Sequence, residues 1–196
     1  NLFLINSLDG EIIKKVIQGE RNAKFEELHI LKPGITWSPD GEKIAVAVKS
    51  GKSDALVIID LQSNKKIIKR FDLQGIFRPA WNPNKNLIAF IGNNGFSSDV
   101  YIYNLDNDSL INLTNDRFSD IQLAWHPNGE QLLLISDRGN FLQNNQTIDI
   151  ETLTNHNIEN HDIYILNLNG KINRLTNTSF NENYASFSFD GNYIAY

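Results

Sequence analysis

The residues that could do chemistry are gathered in one Asn-rich stretch and have the composition of a metal site. His156 and His161 lie five residues apart, with Glu159 and Asp162 beside them. Imidazole and carboxylate groups together form a ligand set that zinc and related metals accept. A five-residue spacing in a segment that reads as a loop is not specific for metal ligation. We therefore predict no metal site and no cofactor.

Signatures of catalysis are missing from the sequence. The G-x-S-x-G motif of a nucleophilic serine does not occur. Gly51-Lys52-Ser53 matches the end of a phosphate-binding loop, but Val46 stands where the first glycine is required, and no helical pattern follows. We therefore predict a chain that is not an enzyme, and we assign no catalytic residue.

The composition is that of a globular protein with an acidic balance. The 196 residues are 41% hydrophobic and 21% charged, with a formal net charge of −5 and neither Cys nor Met. The acidic balance argues against a nucleic-acid surface, and no apolar run approaches the roughly 20 residues of a membrane-spanning helix. Because even an initiator Met is missing, we expect the chain to be a processed product or a slice of a larger protein.

A repeated unit organises the chain, and its clearest copy covers Ile35 to Val46. This copy is a strand that ends on Trp37, a Ser-Pro-Asp-Gly turn and a second apolar strand. Trp81 and Trp125 follow at intervals of 44 residues, and Phe187 takes the same position after a further 62. A period of about 40–50 residues is typical of repeat architectures such as propellers.

Each unit accommodates four short antiparallel strands, here named a to d in order, which is the strand count of a β-propeller blade. Such a blade buries its faces only by stacking against its neighbours, whereas an all-β sandwich gives no reason for so regular a repeat. We predict a single all-β propeller domain over 1–196 that is either a small closed ring or an arc of a larger one. The predicted boundaries are strands c and d over 1–18, blades over 34–73, 78–115 and 121–177 with an insertion at 139–161, and strands a and b over 184–196.

The recurring aromatic position on strand a is predicted to pack between blades rather than to stack on a ligand. Large residues that recur at a structural period are usually core residues, and each buries a large apolar area. The residues at this position are Trp37, Trp81, Trp125 and Phe187.

The turns between strands a and b show Asp-Gly chemistry. In Asp40-Gly41 and Asp190-Gly191 the carboxylate is expected to bond the turn backbone, while the glycine supplies a positive φ. The second unit has Asn84-Lys85 instead, so its turn is expected to be less regular. An Asp also precedes strand c in three units, and we expect it to bond neighbouring backbone rather than an ion. These residues are Asp54, Asp99 and Asp162.

Long connections gather at one end of the predicted propeller. In an antiparallel blade the a–b and c–d turns lie at one end, and the b–c and d–a connections lie at the other. The connections over 19–33 and 137–161 are long, and long loops on one face of a repeat protein usually form its binding face. Merely solvated loops are the alternative. The candidate binding residues, whose mixed charge suits a protein or peptide partner, are Arg78, Phe96, Arg117, Asp120, Asp137, Arg138, His156 and His161, together with Glu26 and Glu27.

The pattern W-S-P-D-G-x-x-I-A, followed by D-x-Y-x-x-x-L and L-T-N, resembles the WD-like repeats of the TolB-like β-propeller family. The resemblance covers essentially the whole chain. It implies a propeller of six blades, of which about four are present at roughly 43 residues each. The residues that carry it are Trp37–Gly41, Ile44-Ala45, Asp99–Tyr101, Leu105, Leu113–Asn115 and Ser136–Gly139.

The resemblance implies a non-catalytic module that binds a protein or peptide in the bacterial periplasm or envelope, without nucleic acid and without membrane insertion. Two alternatives stay open. The same repeat occurs in propellers of prolyl oligopeptidase-type serine peptidases, whose catalytic domain would lie outside this chain. The other alternative is a carbohydrate- or peptide-binding propeller.

Overall fold

The computed structural model describes residues 1–18, 27–28, 34–50, 53–143 and 148–196. Within these ranges the regular elements are seventeen β-strands and one short helix, α1, over Ile150–Thr154. The predicted connection over 19–33, with Glu26, lies outside the described residues except for the strand Glu27–Leu28. The strands form successive antiparallel sheets along the chain. The prediction of an all-β propeller fold is confirmed.

Three sheets contain four or more strands, and two contain a single strand pair. The first large sheet comprises β3 Glu27–Leu28, β4 Ile35–Trp37, β5 Lys43–Ser50, β6 Ser53–Asp60 and β7 Lys66–Arg70. The second comprises β8 Gly75–Trp81, β9 Leu87–Asn93, β10 Ser98–Asn104 and β11 Ser109–Asn112. The third comprises β12 Asp120–Trp125, β13 Gln131–Ser136, β14 Asp162–Asn167 and β15 Ile172–Arg174. The paired strands are β1 Leu2–Ile5 with β2 Ile12–Ile17, and β16 Ser186–Phe187 with β17 Ile194–Ala195.

The burial of the strands follows their place in each sheet. The central strands β6, β9 and β10 are buried along almost their whole length, so their sequences read as continuous apolar runs rather than as alternating ones. The outermost strands β7 and β11 have no fully buried residue. The first and second large sheets are therefore covered on both faces at their centres and open to solvent at their outer strands.

The aromatic residues of strand a lie between neighbouring sheets. Trp81 is 7% exposed and packs in one cluster with Ala45 and Leu56 of the first sheet. Trp125 packs against the second sheet, and its indole N–H donates to the Ala80 carbonyl at 3.0 Å. Phe187 packs in the same way against strands of the third sheet.

Trp37 differs from this predicted inter-blade packing because it is 51% exposed. The sheet that precedes it along the chain consists of β1 and β2, which correspond to strands c and d. Among the described residues no strand b lies beside them to cover the indole ring.

The a–b turns of successive sheets bond to one another at one end of the fold, which we call the turn end. The side-chain amide of Asn82 donates to the Gly129 carbonyl at 2.8 Å, and His126 Nε2 lies 3.2 Å from the Gly191 carbonyl oxygen. The opposite end, which we call the loop end, carries the b–c connection 94–97, the described part of the b–c connection 137–161, and the d–a connections 71–74, 113–119 and 175–185.

Turn chemistry follows the sequence closely. Asp40 Oδ1 accepts a hydrogen bond from the Glu42 N–H at 2.9 Å, and Gly41 has a φ of 71°. Asp190 and Gly191 repeat this arrangement, with a bond of 3.1 Å to Asn192 N–H and a φ of 76°. In the second sheet Asn82 Oδ1 accepts instead from the N–H groups of residues 84 and 85, both at 2.9 Å, so this turn closes without a glycine.

Candidate functional site

The loop end presents several large apolar side chains to solvent. They come from the b–c and d–a connections, which sequential antiparallel pairing brings to the same end of each sheet. Where exposed apolar side chains form a contiguous patch, they often mark an interaction site. These residues are Phe96, Ile150, Ile158, Phe180 and Tyr184.

Phe96 lies at the tip of the turn between β9 and β10 and is 99% exposed. Asn94 Oδ1 accepts hydrogen bonds from the N–H groups of Phe96 at 2.9 Å and Ser97 at 3.0 Å. Asn93 Oδ1 accepts from Gly95 N–H at 2.8 Å, and Gly95 has a φ of 98°, which glycine adopts without strain. These bonds fix the backbone of the turn. A partner that contacts the ring therefore binds with a small entropy cost for ordering the loop.

A cleft of about 470 Å³ opens beside Phe96, and two neighbouring sheets build it. Asn94 and Phe96 form one wall, and the connection 72–74 between β7 and β8 forms another. Leu73 in that connection is buried, and Gln74 N–H donates to the Asn93 carbonyl at 2.8 Å. The two walls are therefore bonded together. An exposed aromatic ring on a fixed turn, next to a cleft with polar walls, is a surface that a peptide segment can occupy.

The described part of the b–c connection 137–161 is anchored to the third sheet by aromatic rings. Phe141 stacks on the buried Phe118 with ring centroids 4.9 Å apart and planes 17° apart. His156 meets Phe118 edge-on at 5.1 Å. The Tyr164 hydroxyl also donates to the Gly139 carbonyl at 2.9 Å. The described part of the connection therefore packs against the third sheet and forms part of the surface of that sheet.

A second cleft, of about 730 Å³, lies between this connection and β15. Its walls carry amides, a hydroxyl, carboxylates and two rings. Arg174 at the end of β15 contributes one wall and is held by three hydrogen bonds, to Asp162, Asn140 and the Thr176 carbonyl. The lining residues are Gly139, Asn140, Phe141, Asp149, Glu151, Thr152, Asn155, His156, Asn157 and Arg174.

Beneath the loop end a buried ion network ties two connections, 113–119 and 137–161, to strands β12 and β13 of the third sheet. Arg138 donates to Asp120 at 2.6 Å, to Asp116 at 2.7 Å and to the Ser136 hydroxyl at 3.2 Å. Burial raises the pKa of Asp116 to about 6, although Arg138 opposes that rise. Burial works to lower the pKa of Arg138, but Asp120 and Asp116 together raise it above its ordinary value. The guanidinium is therefore charged, and each of its three nitrogens donates a hydrogen bond.

The acidic residues at the start of strand c bond neighbouring backbone N–H groups, as the sequence predicts. Asp54 accepts from Ile76 N–H at 2.8 Å, and Asp99 accepts from Asp116 N–H at 3.2 Å. Asp162 accepts from Thr178 N–H at 3.4 Å. Asp99 and Asp162 therefore hold the connections 113–119 and 175–185 in place, and Asp54 holds the start of β8.

The predicted binding residues fall into three settings. Phe96 and Arg117 are exposed, while Arg78, His156 and His161 are half-buried. Asp120, Asp137 and Arg138 are buried and therefore do not lie on the open surface where the loop argument placed them. Strand order places a residue at one end of the sheet but does not determine whether its side chain points inward. The residues Asp120 and Arg138 bond each other, and Asp137 accepts from Ser119 N–H at 2.7 Å.

Arg78 lies in an irregular part of β8. Its φ of 50° falls in the left-handed region, and the pairing of β8 with β9 shifts register between Phe77 and Ala80. The entry to strand β4 passes close by, since a Cβ at Gly34 would lie 2.8 Å from the Arg78 Cα. This crowding explains why Gly34 is placed there.

The two histidines that suggested a metal site have different partners. His156 packs in the aromatic cluster with Phe118 and Phe141, whereas His161 Nδ1 lies 3.1 Å from Asn181 Oδ1. In the part of the chain that the structure describes, no group of three or more His, Cys, Asp or Glu side chains could hold a metal ion. That part also contains no helix with the length and apolar character needed to cross a membrane.

Several residues that shape the loop end were not among the residues predicted from the sequence. Asp116 and Phe118 lie in a connection whose Asn-Asp-Arg-Phe-Ser sequence reads as an ordinary polar loop. The Asn-Asn-Gly sequence before Phe96 was a usable signal, because Asn and Gly together indicate a tight turn that exposes the next residue. Nothing in the sequence marks the amides that line the larger cleft.

The fold and the site together define the class of protein. Successive four-stranded antiparallel sheets, with an aromatic residue of strand a between neighbours, form a β-propeller whose connections build a surface at one end. A family model described as the TolB beta propeller domain matches residues 17–152. The match covers more than half of the chain, and the chain belongs to this family.

Solved structures share this fold. TolB from Acinetobacter baumannii is 20% identical with a TM-score of 0.66, and the match covers 99% of this chain and 42% of that one. A putative TolB from Agrobacterium tumefaciens is 14% identical with a TM-score of 0.56, covering 74% and 49%. The β-propeller domain of the Trilobed protease from Pyrococcus furiosus is 15% identical with a TM-score of 0.56, covering 88% and 48%. At these identities the likeness shows the fold alone.

The chain spans less than half the length of each of these three proteins. No curated protein sequence matches it.

Proposed function

We propose that this chain is a non-catalytic module of the bacterial periplasm or envelope, and that it binds a protein partner at the loop end around Phe96. The observation that carries the proposal is an aromatic ring that is 99% exposed on a turn fixed by hydrogen bonds. Rigid aromatic groups are over-represented among residues that dominate binding energy at protein interfaces. Membership of the TolB propeller family supports the periplasmic assignment.

The turn end offers a matched comparison. Phe189 is also 99% exposed, but it lies in the a–b turn between β16 and β17. A photo-crosslinking phenylalanine analogue is placed at position 96 or at position 189 of the chain, and each protein is irradiated in the periplasmic fraction of the source organism. We expect a discrete protein adduct at position 96 and none at position 189. Adducts at position 189 alone, or at neither position, would contradict the proposal.

The alternative is a propeller that accompanies a peptidase domain, which the likeness to the propeller of the Trilobed protease supports. Labelling of the full-length protein by a fluorophosphonate probe for activated serines distinguishes the two functions. The leading proposal expects no label. A labelled serine outside the propeller would favour the alternative.

A further inference from the structure

We propose that the larger cleft, between the 137–161 connection and β15, binds a neutral oligosaccharide. This site goes beyond the protein-binding function proposed above and is independent of the Phe96 surface. Its volume of about 730 Å³ lies within the range of small-molecule sites. The chemistry of its walls identifies the class of ligand.

Primary amides are the most numerous polar groups of the lining. Several of their polar atoms have no hydrogen-bond partner among the described residues. The Asn155 side chain has no hydrogen-bond partner among the described residues. The carbonyl oxygens of Asn140 and Asn157 accept from Arg174 at 2.6 Å and from Glu159 N–H at 3.0 Å, which leaves their amide donors unused within the described structure. An amide offers a donor and an acceptor side by side. A pair of neighbouring sugar hydroxyls presents the complementary arrangement.

Rings provide the apolar part of the cleft. Phe141 and His156 both line it, and their mutual contact and their contact with Phe118 fix their orientation. The C–H face of a pyranose is apolar and packs on such rings. His156 Nε2 is buried without a partner among the described residues, and a buried polar atom of this kind gains stability from a ligand hydroxyl.

The charged side chains on the cleft walls disfavour an acidic ligand. The Arg174 guanidinium already donates to Asp162, Asn140 and the Thr176 carbonyl, so three of its five N–H groups are occupied and Asp162 offsets its charge. Asp149 and Glu151 are exposed on the cleft wall and add negative charge. Asp149 already accepts from Thr152 N–H and hydroxyl, both at 2.7 Å. A neutral sugar therefore fits better than a uronate or a phosphate.

The test titrates the 196-residue chain with tri-N-acetylglucosamine, maltotriose and trigalacturonate by calorimetry. We expect one of the two neutral trisaccharides to bind with a dissociation constant below about 1 mM, equivalent to roughly 4 kcal/mol, and trigalacturonate to bind at least tenfold more weakly. Asn155→Ala and Asn157→Ala should each weaken binding at least threefold. Asn183→Ala, an exposed amide outside the cleft, should leave it unchanged.

Far-UV circular dichroism and melting curves show that each variant is folded. No binding of either neutral sugar, a preference for trigalacturonate, or equal affinities of wild type and both cleft variants would each overturn the proposal. Phe96→Ala should leave sugar affinity unchanged, so the failure of this site is distinguishable from the failure of the protein-binding surface.

Discussion

Nη2 of Arg138 lies 2.6 Å from Oδ1 of Asp120, and neither side chain has any exposed surface. Arg138 is the second residue of the long connection after β13, while Asp120 opens β12 of the same sheet. Asp116, from the preceding connection, completes the network at 2.7 Å. The pair therefore ties the start of the b–c connection to strand a and gives the loop end a fixed base.

Loss of the guanidinium should be strongly destabilising. Arg138→Met removes the buried cation and leaves two buried carboxylates without their partner, so we expect the free energy of unfolding to fall by about 3–5 kcal/mol. Urea unfolding followed by tryptophan fluorescence measures this change. Lys85→Met is the control, because Lys85 pairs with Glu130 on the surface and such pairs contribute about 0–1 kcal/mol. Equal effects of the two substitutions would contradict the structural role of Arg138.

Asp116 should make stability depend on pH in an unusual direction. Burial raises its folded-state pKa from 3.8 to about 6, so between these values the folded state holds a proton that the unfolded state has released. The stabilisation is therefore fully present below pH 3.8 and is lost as the pH rises through 6. The total change is on the order of 2–3 kcal/mol.

Asp116→Asn isolates this contribution, since every other titrating group is shared by the two proteins. The free energy of unfolding of the wild type minus that of the variant should decrease between pH 4.5 and pH 7, as measured by urea titrations at several pH values. A difference that stays constant, or that increases with pH, would show that Asp116 is ionised throughout this range in the folded protein.

Trp81 and Trp37 should differ although they occupy the same repeat position. Trp81→Ala removes a ring that is 7% exposed between two sheets, and we expect a loss of about 3–5 kcal/mol. Trp37 is 51% exposed, so Trp37→Ala should cost less than half as much. Denaturant unfolding of both variants checks the pair. A larger effect at Trp37 would contradict the inter-sheet packing described here.

The architecture can be predicted from the sequence because the same strand-turn-strand pattern occurs several times along the chain. One Trp-Ser-Pro-Asp-Gly segment is ambiguous, but its recurrence at Trp81, Trp125 and Phe187 fixes the strand order and the turn positions. Asp54, Asp99 and Asp162 bond backbone as the sequence predicts, since their equal placement in three units favours a repeated structural role.

The loop end could be predicted only in part. Topology places residues 137–161 at this end, but it does not tell that Arg138 turns inward to Asp120 while Phe96 turns outward. These orientations depend on contacts between connections that are distant in sequence, such as the stacking of Phe118 on Phe141. Irregular segments have no periodicity from which such contacts could be read.

The affinity for the partner captured at position 96 tests the central claim most directly. Dissociation constants are measured by calorimetry for the wild type, Phe96→Ala and Phe189→Ala, whose wild-type phenylalanines are equally exposed at opposite ends. We predict that Phe96→Ala weakens binding at least 30-fold, equivalent to about 2 kcal/mol, as for a hot-spot residue. Phe189→Ala should change the affinity less than twofold, and both variants should keep the wild-type melting temperature. An unchanged affinity in Phe96→Ala, or a larger loss in Phe189→Ala, would contradict a partner surface at the loop end.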